Sequence, residues 1–561
     1  MADEPKGLSV GAVVELAQIN GIPLEEGMAE RIAQGAAAAT AAVRASCADV
    51  SIGSPAKVEA ADYLPTLERL ARVPAASHTA RSRPTPTDAG ELDLVAASEA
   101  LASGDRRSVD LVREALAAAD LAQATTHCFL SLEPQSALRS AELADALLEQ
   151  SRRQGRPPVS SVLGIPLAHK DMFDRAGHSA TCGSRALEPT IARQTATVLQ
   201  RLEMAGAVSL GTLNMAEFAL GATGHNAAFG DCRNAWNPDY ISGGSSSGSG
   251  AAVASGAAFA SLGSDTGGSV RIPASVQGVF GLKPTYGLLP RTGSMRLSPS
   301  IDVLGPVTRS VRDLAVILAT VAGGDGSDAQ CSLRPLPDYR EAMGRGVDGL
   351  RVGIPKNHFS DRLDPPIQAA YERTLAMYAA HGAQFVELEV PFASILAELS
   401  RAIVYPEATA VHAESLRTRA AKYSPQVRVR ACTGLAISGT HYLEALQRRL
   451  PILERVVTEV FGRCDVLVTP TLPIRVPRRD ETDVGSGARL WGILGDLVRC
   501  TAPFNYLGLP ALSVPAGLDD RGLPIGIQLV GAPFDESTLL TVAAVHESAL
   551  PPPRLANCPR K

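Results

Sequence analysis

The residues best able to do chemistry lie between Gly243 and Arg271. They run Gly-Gly-Ser-Ser-Ser-Gly-Ser-Gly-Ala-Ala-Val-Ala over 243–254, then Gly-Ser-Asp-Thr-Gly-Gly-Ser-Val-Arg-Ile-Pro over 263–273. The first half reads as a loop feeding an Ala-rich helix that starts near Ser249. In the second half, successive glycines let backbone N–H groups converge on one point, an anion-binding nest. In acyl transfer that point is where a carbonyl oxygen turns negative, and losing one donor costs about 2.7–4 kcal/mol of transition-state stabilisation. Ser269, directly after Thr266-Gly267-Gly268, is then the natural nucleophile. Upstream, the apolar run Gly164-Ile165-Pro166-Leu167-Ala168-His169-Lys170 places Lys170 at the end of a strand or short turn. Buried among hydroxyls, such a lysine loses its proton and becomes able to accept one. Asp171 would oppose this, but neighbours on an extended segment point to opposite sides, so it is expected to face away.

Rival arrangements fit less well. Gly244-Ser245-Ser246-Ser247-Gly248 also satisfies the nucleophile-elbow pattern of α/β-hydrolases, which would make Ser246 the nucleophile and demand a preceding strand. Residues 231–242 read instead as loop, and His358, His381, His412, His441 and His546 sit in no recognisable context. A phosphate-binding loop would need Gly-Lys-Ser/Thr after the glycines. A flexible Gly/Ser linker would not lead into an Ala-rich helix and a second Gly-Gly-Ser. His169 reads as structural, Cys182 as a small buried thiol, and Asp231 and Cys232 as candidates for a pocket lining. Arg291 and Arg296 are read with equal weight as contacts for an anionic substrate group or as solvated surface.

Over roughly residues 91–550 the chain resembles the amidase-signature hydrolases. Beyond the serine-rich core the likeness covers Gly278–Gly287, Leu304–Ser310, Asp465–Thr471, Asn505–Pro510 and Leu523–Gly531. It implies an α/β fold, a mixed twisted sheet flanked by helices, and amide hydrolysis through an acyl-serine without metal or organic cofactor. Position by position, it implies that Ser269 attacks and that Ser245, with a cis peptide bond before it, bridges to the base Lys170. The backbone N–H groups of Thr266, Gly267, Gly268 and Ser269 would form the oxyanion hole. The 24-residue step from Ser245 to Ser269 matches the family spacing, while Ser247 stands where a glycine is usual. The substrate implied is a small non-peptide amide or urea-like compound, cleaved to ammonia or an amine. The alternative is a glutaminase-type subunit of a tRNA-dependent amidotransferase. Residues 1–75 resemble the small helical companion subunits of such assemblies.

The elements that must position these residues follow from composition and period. The 561 residues are 45% hydrophobic and 20% charged with net charge −5, so no basic excess marks a nucleic-acid or acidic-membrane surface. The partners expected are a small-molecule amide and a second copy in a homodimer, with no nucleic acid and no membrane. The pairs Arg152–Arg153, Arg448–Arg449 and Arg478–Arg479 read as solvated faces. Nine scattered cysteines without a CxxC pair fit a reduced, cytoplasmic protein. The first residues show no signal-peptide pattern, and Ala251–Leu262 is shorter than the ~20 apolar residues a bilayer needs. Residues 1–75 read as a helical N-terminal domain: a hairpin broken at Asn20-Gly21-Ile22-Pro23. Residues 76–90 read as an extended linker and 91–561 as the catalytic domain. There, helices over Leu94–Ala102, Ser108–Ala119, Ala137–Arg153 and Thr195–Ala205 alternate with strands at Val208–Leu210, Arg351–Ile354, Val466–Thr469, Ala511–Val514 and Ile525–Val530. Residues 322–345 read as an exposed loop and those after Leu550 as a Pro-rich tail.

Overall fold

The computed structural model describes residues 7–49, 62–71, 92–485 and 487–555; the expected linker at 76–90 lies outside them. Two sheets organise the body. The smaller takes β1 (Phe129–Leu132), β3 (Val208–Leu213) and β2 (Pro166–Lys170) in the order β1-β3-β2, with β1 antiparallel and β2 parallel to β3. The larger contains β4 (Ala260–Asp265), β5 (Phe280–Lys283), β6 (Val303–Thr308), β7 (Arg351–Pro355), β8 (Gln384–Leu388), β9 (Val466–Pro470), β10 (Ala511–Leu518) and β11 (Pro524–Val530). Its order is β4-β6-β5-β10-β11-β9-β7-β8, antiparallel from β4 to β9 and parallel across β9, β7 and β8. Strands β4, β6, β9 and β11 are buried at every residue, which is why β9 and β11 read as short apolar runs rather than as alternating ones. Helices flank the sheet, as the resemblance implies.

The site depends on one tight junction. The helix Ser247–Ala254 is buried along its whole length and packs against β2, β3 and β4. Only small residues allow this: a Cβ at Gly248 would lie 2.3 Å from the Cys128 carbonyl oxygen. The helix begins two residues before the expected Ser249, and Ser247 sits in its first turn with an ordinary right-handed backbone. The serine in place of a glycine is therefore accommodated without strain.

The N-terminal hairpin forms as its pattern predicts. Helix Val10–Ile19 is capped by Ser9 Oγ, which accepts from Ala12 N at 3.2 Å, and Met28–Ala48 follows the turn. With Tyr63–Leu70 it packs on the body. Two expectations are corrected. Arg448 and Arg449 are buried, not solvated: Arg449 donates to the Tyr506 and Ser300 carbonyls at 2.8 and 2.9 Å and stacks over Tyr63 at 3.6 Å. Residues 322–345 are only partly exposed, because Ser332 N donates to Gly287 O and Arg334 to Glu68 O. Among the described residues, no helix is long and apolar enough to cross a membrane.

Candidate active site

Strand β2 runs beside β4, joined where Phe259 N donates to Pro166 O at 3.1 Å and Leu262 N to His169 Nδ1 at 3.1 Å. His169 is thus a buried structural residue, its pKa lowered to about 3, chiefly by desolvation. The next residue, Lys170, is 1% exposed. Its Nζ lies 2.7 Å from Ser245 Oγ and 2.9 Å from Ser264 Oγ, hydrogen-bonded to both. Burial pulls its pKa down to about 7, against the opposing pull of Asp302 and Asp265. Asp171 faces away as expected: its carboxylate accepts from Thr181 N at 3.0 Å, from Gly183 N and from the Thr181 hydroxyl. Ser264 was not foreseen, although it stands one residue before the end of β4, beside the end of β2 that carries Lys170.

The two serine loops lie against each other. Ser246 N donates to Ser269 O at 3.1 Å, and Ala216 N to Ser245 O at 3.1 Å; the Gly244–Ser245 peptide bond is cis. Ser245 is fully buried, whereas Ser269 is 9% exposed and lines a pocket. Ser246 points the other way, its hydroxyl bonded to the backbone of Ser264 and to no histidine, so the nucleophile-elbow arrangement is absent here.

The loop from Thr266 to Ser269 hangs on a buried ion pair. Asp265 accepts from Gly268 N at 2.8 Å, Val270 N at 3.1 Å, the Nε and Nη2 of the Arg271 guanidinium and Asn505 Nδ2. Burial would raise the Asp265 pKa, but Arg271 outweighs it and holds the carboxyl well below the usual range. Arg271 is itself saturated by Thr501 O, Gln528 and Asn505. This corrects the expected set of oxyanion donors. The Gly268 N–H is committed to Asp265, while those of Thr266, Gly267 and Ser269 make no hydrogen bond among the described residues.

The pocket in front of Ser269 has an empty volume of about 610 Å³, part of it open to solvent. Its inner side is Ala219–Ala222 and Thr266–Gly267; its outer wall brings Arg401, Tyr405, Arg430 and Val498. Arg291 and Arg296 do not line it. Arg291 is buried in an ion pair with Asp328, and Arg296 reaches the same carboxylate at 4.0 Å. Neither do Asp231 and Cys232: Asp231 binds His225 and Arg479, and Cys232 is buried. Cys182 is buried too, its thiol pKa pushed well up by desolvation. Arg401 and Arg430 gave no sequence signal, since they are more than a hundred residues from the serines and become neighbours only through the fold.

The Amidase family model matches residues 110–540. A glutamyl-tRNA(Gln) amidotransferase subunit from Roseiflexus sp. (strain RS-1) is 37% identical over 480 residues, covering 82% of this chain and 96% of the relative. Among solved structures, one described as a vestigial protein complex revealing the evolutionary origins of an s-triazine catabolic enzyme shares 33% identity and a TM-score of 0.76, over 83% of this chain and 100% of that one. A 6-aminohexanoate cyclic dimer hydrolase shares 28% identity and a TM-score of 0.74, over 82% and 97%. The exclusion of a nucleic-acid partner, and the simple picture of a homodimer meeting a small amide, do not survive these likenesses. A relative named for glutamyl-tRNA and for its place in a larger assembly shows why: the net charge of one chain does not report surfaces supplied by others. The family match spans well over half of the sequence and coincides with the buried lysine and paired serine loops, and the chain belongs to the amidase-signature family.

Proposed function

We propose that the chain cleaves the amide of a carboxylate-bearing donor through an acyl-Ser269 intermediate and releases ammonia, the donor half-reaction of a glutaminase-type amidotransferase subunit. The observation that carries this reading is the chain of Lys170 and Ser245 beside a pocket that holds Ser269 and two guanidinium groups. Neutral Lys170 takes a proton from Ser245, which takes one from Ser269 as its Oγ attacks the carbonyl carbon. The oxyanion develops toward the unpaired N–H groups of the 266–269 loop. The proton returns along the same path to the leaving nitrogen, and water then releases the acyl group by the reverse relay. A base whose pKa sits near 7 suits this work at neutral pH. The relatives named for glutamyl-tRNA(Gln) amidotransferases support the donor role.

Hydrolysis of an amide that bears a carboxylate but no amino group is the second reading. One observation favours it: no Asp or Glu side chain lines the pocket among the described residues, so no fixed negative charge meets the ammonium of glutamine. Ammonia release from L-glutamine, succinamate and butyramide separates the two. Charge-assisted hydrogen bonds should favour the preferred carboxylate over butyramide by about 10–100-fold in kcat/KM. Glutamine ahead supports the first reading and succinamate ahead the second; butyramide level with both would overturn the anionic assignment.

A further inference from the structure

The outer wall of the pocket comes from three helices: Ala393–Arg419 with Arg401 and Tyr405, Pro425–Cys432 with Arg430, and Leu490–Val498 with Val498. All three are held from behind by the N-terminal segment. Arg417 Nε donates to Asn20 O at 2.8 Å, Arg428 donates to Glu25 and to Pro23 O, and Trp491 Nε1 donates to Arg31 O at 2.9 Å. Among the described residues, none of the N-terminal segment lines the pocket itself.

One contact reaches the pocket in a single step. The Trp491 ring meets Tyr405 edge-on, with centroids 5.6 Å apart and planes at 70°. Its other side presses on the helix Met28–Ala48 at Gly35, where a Cβ would lie 2.2 Å from Cζ2 and 2.5 Å from Cε2. Glycine inside a helix weakens it, and here its missing side chain makes the room that seats the indole. Tyr405 in turn stands beside Arg430, whose charge burial disfavours first of all and the Tyr405 contact supports.

We propose that the N-terminal helices are a positioning element of the substrate pocket, acting through Gly35 on Trp491 and through Trp491 on Tyr405. The segment thereby sets which acyl groups the pocket accepts and leaves the proton relay untouched. This goes beyond the hydrolytic reading, because it gives the segment a role in specificity beside its packing on the body.

The test compares two reagents on the full-length chain. Methanesulfonyl fluoride reaches Ser269 without filling the pocket, whereas phenylmethylsulfonyl fluoride must place its ring there. Gly35→Ala and Trp491→Ala should each lower the ratio of phenylmethyl to methyl sulfonylation rates about tenfold, the scale on which contacting residues couple, with the methyl rate as in the parent. The double variant should be no worse than Trp491→Ala alone, since the added methyl then has no indole to displace. An unmoved ratio, equal slowing of both reagents, or single effects that multiply in the double variant would each overturn the proposal. Trp491→Phe withdraws the indole edge more gently and tests the same relay if Gly35→Ala does not fold: the ratio falls again, and an unchanged one refutes it.

Discussion

Lys170 concentrates the chemistry because desolvation, not a partner charge, decides its state. Its pKa falls to about 7 from an ordinary 10.5, so the rate should rise with pH through one ionisation near 7 and stay high in the alkaline range. Lys170→Arg should be as poor as Lys170→Ala, since arginine is not deprotonated in proteins; a near-parental rate with an unchanged profile would remove Lys170 as the base. Asp302 offers a finer check. Buried, and accepting from the Thr266 hydroxyl at 2.6 Å, it raises the Lys170 pKa. Asp302→Asn should therefore move the midpoint of the pH–rate profile to lower pH. The linkage to stability has the same origin. Between about 7 and 10.5 the unfolded chain holds a proton on Lys170 that the fold does not, so this contribution grows as pH rises through that window and is lost below it.

At the scale of elements, the turn between β4 and the helix Arg271–Gln277 is pinned by charge. Asp265 at the strand's end and Arg271 at the helix's start make a fully buried pair, and six donors converge on the carboxylate. Removing one partner of such a pair strands the other charge. Arg271→Lys keeps the charge but loses the fork that spans Asp265, Thr501, Gln528 and Asn505. We expect kcat to fall by about 10²–10³, the scale of a displaced oxyanion donor, with the pH midpoint unchanged because Lys170 stays in place. A shifted midpoint at normal kcat would show that the pair serves the base rather than the loop.

Across the whole molecule, the N-terminal helices are held by aromatic and guanidinium contacts to the body. Tyr63 is 4% exposed, packs edge-on against Tyr286 at 5.9 Å, and lies beneath Arg449. Truncating so large a buried ring costs about 3–5 kcal/mol. Tyr63→Ala should lower the apparent Tm by several degrees, while sulfonylation of Ser269 by methanesulfonyl fluoride stays at the parental rate below the transition. Loss of labelling at a temperature where the fold persists would place this contact in the chemistry itself.

The sequence by itself determined the local elements and the residue types at the chemical centre. Short apolar runs bounded by glycine or proline become β3, β7, β9, β10 and β11 within a few residues, because β-branched and apolar residues between breakers favour an extended, largely buried segment. The alternation that turns Asp171 away from Lys170 is likewise a property of any extended segment, and it holds. What only the tertiary structure decided is what converges from far along the chain. Ser264 beside Lys170, Asp265 claiming the Gly268 N–H, Arg401 and Arg430 in place of Arg291 and Arg296, and Arg449 over a tyrosine of another segment all depend on strand order and helix packing. A periodicity reports which face of an element is buried; it carries no information about which distant side chain will meet it there, and that meeting sets both the charge of Lys170 and the shape of the pocket.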